Sequence, residues 1–120
     1  MSGVTGDCIF CKIIRGEIPS RKIFEDENIF VFHDIQPAAP VHFLLVPKQH
    51  IESLAETDMS HQKILGYLLA KAGDLAKSQG LNDGFRTVIN TGRVGGQEVY
   101  HLHVHILGGP DPVGPLLKKH

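Results

Sequence analysis

The chain is poor in cysteine, carries no excess charge of either sign and has no long apolar run, and each lack removes a class of protein. Its only cysteines, Cys8 and Cys11, stand too close together to build a stabilising disulfide framework. The pair is left with a metal or redox role. Lys and Arg number 12 against 13 Asp and Glu, for a formal net charge of -1, so no global field draws the chain to nucleic acid or to an anionic membrane. No segment is long and apolar enough to span a bilayer, and the first fifteen residues, with Asp7, Lys12 and Arg15, hold no run of signal-peptide length. A cytoplasmic protein with neither nucleic-acid nor membrane partner is expected. Repeats and low-complexity segments are absent too. The 120 residues, 42% of them hydrophobic, supply one core, so a single domain over 1–120 is expected, with its folded part at about 8–109. What stands out is histidine: eight residues, three of them within five positions.

Residues 9–15 place Ile9, Phe10 and Ile13 at helical spacing before Gly16, which reads as one or two turns of helix. The β-branched and aromatic runs 22–25 and 28–33, parted by Asp26-Glu27, read as a hairpin, and 42–46 as a third strand. Pro37, Pro40 and Pro47 bound these segments, because proline lacks a ladder donor. From Ser60 to Gln79, Ile64, Leu65, Leu68, Leu69, Ala72, Leu75 and Ala76 form one helical stripe, with Gly80 as its C-terminal cap. After the turn Asn82-Asp83-Gly84, residues 85–90 and 99–107 read as strands joined by a glycine-rich loop over 92–97. The predicted architecture is α+β: an antiparallel five-stranded sheet with one long and one short helix.

In His101-Leu102-His103-Val104-His105-Ile106-Leu107, strand alternation puts three imidazoles on one face, about 7 Å apart in succession, and the apolar residues on the other. A lone strand histidine is most often structural. Strand propensity gives no reason to repeat it three times on one face. Imidazoles serve in metal ligation and in proton or phosphoryl transfer near neutral pH. The preceding Gly92-Arg93-Val94-Gly95-Gly96-Gln97 favours the second, since glycines let backbone N–H groups approach an anion. The Cys8-Ile9-Phe10-Cys11 spacing suits tetrahedral zinc completed by distant ligands. A redox pair would follow a strand, and nothing before Cys8 reads as one.

At these residues the sequence closely resembles the histidine-triad superfamily, and within it the nucleoside phosphoramidase (Hint) branch. The likeness extends to Phe32-His33-Asp34-Ile35-Gln36-Pro37, His42-Phe43-Leu44, Pro47-Lys48-Gln49-His50, Val88-Ile89-Asn90 and Gly95-Gly96-Gln97-Glu98-Val99-Tyr100, in the order and spacing of that branch. It runs from about Cys8 to Gly109. The resemblance implies a homodimer with joined sheets, each subunit holding the α-phosphate of a purine nucleotide. His103 would be the nucleophile, forming a nucleotidyl-histidine that water then hydrolyses. His105 would bond the phosphoryl group, and His42 would relay a proton to the leaving amine. Asp34 would accept the ribose diol, since its two oxygens suit two hydroxyls. Phe10, Ile18, Phe32, Ile35 and Leu44 would line the base slot, and Asn90, Gln97 and the backbone at Gly96 and Val99 would hold phosphate and leaving group. Glu98 receives no role, because some branch members carry serine there and a carboxylate repels phosphate.

The same resemblance implies that Cys8, Cys11, His50 and His101 bind zinc. Four protein ligands close the shell, so the zinc would be structural. Lys118-Lys119-His120 reads as a solvated tail. Two alternatives remain: a dinucleoside polyphosphate hydrolase, against which the Gly95 to Val99 block argues, and a zinc-stabilised nucleotide-binding module without turnover, against which His103 argues.

Overall fold

A computed structural model describes residues 8–115, so the tail at Lys118-Lys119-His120 lies outside the described residues. Helix α1 (Ile9–Ile14) leads to β1 (Lys22–Glu25), β2 (Ile29–His33) and β3 (Val41–Pro47); helix α2 (Gln62–Ser78), β4 (Arg86–Val88), the single turn α3 (Gly92–Gly95) and β5 (Val104–Gly108) follow. The five strands form one antiparallel sheet in the order β1-β2-β3-β5-β4. This is the α+β arrangement read from the sequence. None of the described helices is long and apolar enough to cross a membrane.

Alternation divides the sheet into two chemically distinct faces. On one, Ile29, Val31, Phe43, Leu45, Val104 and Ile106 pack under Leu68, Ala72, Leu75 and Ala76 of α2. Full burial of each large side chain here contributes about 2 kcal/mol. Helix α2 begins two residues later than the stripe suggested. A 3-10 turn, Met59–His61, precedes it, capped by Asp58, whose carboxylate accepts from Ser60 N–H while His61 accepts from Asp58 N–H. At its other end Gly80 takes φ +88°, a left-handed value that costs glycine nothing.

On the opposite face Phe30, Phe32, Leu44 and Val46 meet Phe10 and Ile13 of α1. The Cys8 thiol caps α1 by accepting from Cys11 N–H at 3.3 Å. Here the last strand departs from expectation, for β5 starts at Val104 and not at Val99. Strand β3 ends at Pro47, and Leu102 N–H donates instead to Ile51 O at 2.7 Å. His101 and His103 therefore lie in the segment leading into β5, and of the three only His105 is in the ladder, opposite Leu44. Strand β4 is also shorter than the 85–90 expected, and part of the glycine-rich loop winds into α3.

Candidate active site

A cavity of about 490 Å³ opens on the second face, walled by Phe10, Ile13, Phe32 and Leu44, with Asp34, Asn90, Gly96, His103 and His105 at its polar end. Ile35, Val99, Ile9, Gln36 and Glu98 complete its rim. A comparable space between 83–86 and 108–115 holds no imidazole or thiol. Chemistry, not volume, singles out the first.

His103 is buried, and its Nδ1–H donates to the His101 carbonyl at 2.7 Å. The lone pair is thereby left on Nε2. Phe10 packs edge-on against the ring at 5.1 Å between centroids, with His105 at 4.9 Å. Burial lowers the His103 pKa from its ordinary value, opposed by the His101 carbonyl and by the charges of Asp34 and Glu98. A neutral, oriented imidazole results.

A second chain of bonds orients His105. Ala38 N–H donates to His42 Nδ1 at 3.0 Å, so a neutral His42 carries its proton on Nε2. That nitrogen lies 3.0 Å from His105 Nδ1, and donation there leaves the His105 proton on Nε2. His105 thus offers a donor where His103 offers a lone pair. Burial, then the neighbouring His103 and His42, push the His105 pKa down to about 4. Asp34 Oδ2 stands 3.5 Å from His42 Nε2, while its Oδ1 accepts from Gln36 N–H.

Cys8, Cys11, His50 and His101 bring one ligand atom each within 4.8 Å of one another. The Cys8 Sγ to His101 Nδ1, Cys11 Sγ to His50 Nδ1 and Cys11 Sγ to His101 Nδ1 distances are 3.3, 3.4 and 3.6 Å. Tetrahedral zinc, with bonds of about 2.3 Å to sulfur and about 2.0 Å to nitrogen, has sulfur-to-nitrogen edges near 3.5 Å. His101 Nε2–H is taken up by Pro47 O at 2.7 Å, which turns the Nδ1 lone pair toward the thiols. Burial, then the Cys8 thiol beside it, push the Cys11 pKa up to about 11, a cost that a divalent cation bound between the sulfurs would reverse. The donor set fits zinc.

Two residues nominated for nucleotide contact, Gln97 and Ile18, and the nominated proton relay His42 are not among those lining the cavity. Gln97 is buried, its carbonyl accepting from Gly92 N–H and its amide donating to Glu52 O and Val99 O; its side chain braces the loop and does not line the cavity. Ile18 packs against the cluster that contains Phe10 and Phe32, and His42 touches His105 through its Nε2. Conversely, Ile13 was open to prediction, three positions from Phe10 on the same helical face. Gln36 and Glu98 line the cavity through loop geometry, which leaves no periodic signal.

The profile of the HIT domain family matches residues 15–111. The chain belongs to the HIT domain family. Protein HitA of Neisseria gonorrhoeae is 54% identical over 104 residues, which cover 87% of this chain and 97% of that protein. The 14 kDa zinc-binding protein of Zea mays is 52% identical over 103 residues, covering 84% of this chain and 80% of that one. Among solved structures, a HIT family hydrolase from Legionella pneumophila superposes with a TM-score of 0.85 at 46% identity, covering 90% of this chain and 100% of that one. In this HIT domain the histidines that look like one repeated motif fall to separate tasks: His101 faces the thiols, while His103 and His105 face the cavity.

Proposed function

We propose that this HIT protein is a hydrolase that cleaves the P–N bond of purine nucleoside 5'-phosphoramidates through a nucleotidyl-His103 intermediate. The observation that carries the reading is the oriented His103 Nε2 lone pair in the lining of a cavity that also holds the Asp34 carboxylate and a His105 N–H donor. The Legionella relative's designation as a hydrolase is consistent with it. Phe10, Phe32, Ile35 and Leu44 take the faces of the base, where apolar walls need little hydrogen-bond readout. Asp34 accepts the two ribose hydroxyls, and Asn90 with the backbone at Gly96 and Val99 holds the phosphate.

His103 Nε2 attacks phosphorus as the P–N bond breaks, and the bonding pair leaves on the amine nitrogen, which takes up a proton. His105 Nε2–H holds a phosphoryl oxygen, and His42 behind it relays that proton from solvent. Water then attacks phosphorus and gives its proton back along the His105 and His42 path, the N–P bond to His103 breaks with its electron pair returning to Nε2, and the nucleoside monophosphate leaves. Cys8, Cys11, His50 and His101 hold zinc, which when bound pins α1 to the segment before β5 and takes no part in the reaction. Thiolate ligands suit the reducing cytoplasm. A homodimer formed through the short edge strand β4 and the exposed Leu69 of α2 belongs to the same reading.

The test compares hydrolysis of an adenosine 5'-phosphoramidate with that of a diadenosine polyphosphate, alongside His103→Ala. The phosphoramidate is expected to turn over faster, and the variant to lose turnover while binding AMP within about tenfold of wild type. Denaturing quenches during turnover should trap an acid-labile adenylate on the wild-type chain only. Activity retained by His103→Ala would defeat the mechanism.

A further inference from the structure

The cavity has an exit whose chemistry the reading above leaves unused. Glu98 lines it together with Ile9 and Val99, and the same three residues border a shallow groove that continues outward past Tyr100, Glu52 and His50. Among the described residues Glu98 has no ion-pair or hydrogen-bond partner, and its side chain is exposed.

A nucleotide seated with its base on Phe10 and Phe32 and its phosphorus at His103 has one substituent left to place. In an in-line displacement the leaving group stands opposite the attacking nitrogen, away from the buried ring and toward the open side. Glu98 is the charged side chain that the cavity and the groove share. We infer that Glu98 is a specificity residue that selects leaving groups by charge, favouring amines that carry a further cationic group and rejecting anionic leaving groups such as carboxylate-bearing amines or polyphosphates. The inference rests on the phosphoramidate reading and names the substrate class within it.

The expected size follows from position. A unit charge about 6 Å from an exposed carboxylate feels an interaction worth a factor of roughly three to five in affinity, once solvent screening is allowed for. Attraction and repulsion together separate cationic from anionic leaving groups by about tenfold. Salt reduces this separation, because the carboxylate is in water's reach.

The experiment uses three adenosine 5'-phosphoramidates that differ only at the far end of the amine: a propylamine, a diamine bearing a free ammonium, and an amino acid bearing a free carboxylate. Values of kcat/KM are measured for wild type and Glu98→Gln at low and high salt. Wild type is expected to rank them cationic, neutral, anionic over about tenfold. In Glu98→Gln the cationic substrate falls, the anionic one rises, and the spread contracts to within about twofold. The same compounds titrated into His103→Ala, with and without Glu98→Gln, report the charge ratio without turnover. An enzyme that binds them with this ranking but hydrolyses none would refute the phosphoramidase reading and retain the charge filter. Equal loss for all three compounds in Glu98→Gln, or a wild-type ranking that survives the substitution, would overturn the role given to Glu98.

Discussion

Acid should destabilise this protein through its buried imidazoles, and His105 gives a clean measure of the effect. Burial and the adjoining His103 and His42 rings lower its pKa from 6.5 to about 4. Folded His105 therefore stays neutral over a range in which the unfolded chain takes up a proton. Stability rises with pH wherever the unfolded state binds more protons, so this contribution is present in full above pH 6.5 and is lost as pH falls toward about 4. At about 1.4 kcal/mol per pH unit the ceiling is about 3 kcal/mol. Screening from the open cavity side reduces that to about 1.5 kcal/mol. Urea unfolding of wild type and His105→Gln, at one zinc concentration and at pH values above and within this window, supplies the test. His33, His42, His101 and His103 are also lowered, so wild type loses more than His105 alone accounts for. The difference between the proteins isolates the His42 and His105 pair, which titrates as a unit because the two rings share one hydrogen bond. Parallel pH dependences for the two proteins would refute the argument.

Three other outcomes are expected. Asp34→Asn should weaken ribonucleotides more than their 2'-deoxy counterparts, because a neutral amide is a poorer double acceptor; titration with both sugars decides, and equal losses would take the diol away from Asp34. Cys8→Ser with Cys11→Ser should abolish a content of about one zinc per chain and lower the melting temperature, since a metal that binds only the folded state stabilises it by mass action. Full zinc occupancy in that double variant would place the metal elsewhere. Phe10→Ala should cost about 3 kcal/mol in chemical unfolding, because its buried ring meets Phe32 at 5.5 Å and His103 at 5.1 Å between centroids.

The elements most legible in the sequence were those whose own periodicity specified them. The stripe from Ile64 to Ala76 is helical whatever surrounds it, and the runs on either side of Asp26-Glu27 pair because a short polar link leaves them little else to do. The limits of β5 were not legible. They depend on where β3 stops, at Pro47, fifty-seven residues earlier in the chain than Val104, and on the capture of Leu102 N–H by Ile51. Pattern placed the histidines together but could not say which nitrogen of each carries a proton. That depends on Ala38 N–H, Pro47 O and the His101 carbonyl, backbone atoms that leave no mark in composition. The resemblance implied that Gln97 holds phosphate, whereas its amide donates to the Glu52 and Val99 carbonyls. The fourfold Cys/His cluster joins three distant segments, so only resemblance nominated it in advance.

His101 belongs to two neighbourhoods by different parts of itself: its ring faces the thiols, and its carbonyl receives the proton of His103. The ring could be altered by mutation, whereas every residue type retains a carbonyl. If Cys8 and Cys11 hold zinc as proposed, a lineage that dispensed with them would therefore lose a stabilising staple without rewriting the instruction that keeps the His103 lone pair on Nε2, provided that Pro47 still held the His101 ring in place. Metal dependence and chemistry can thus drift apart in evolution at the cost of two thiols, and the triad can outlast the metal beside it.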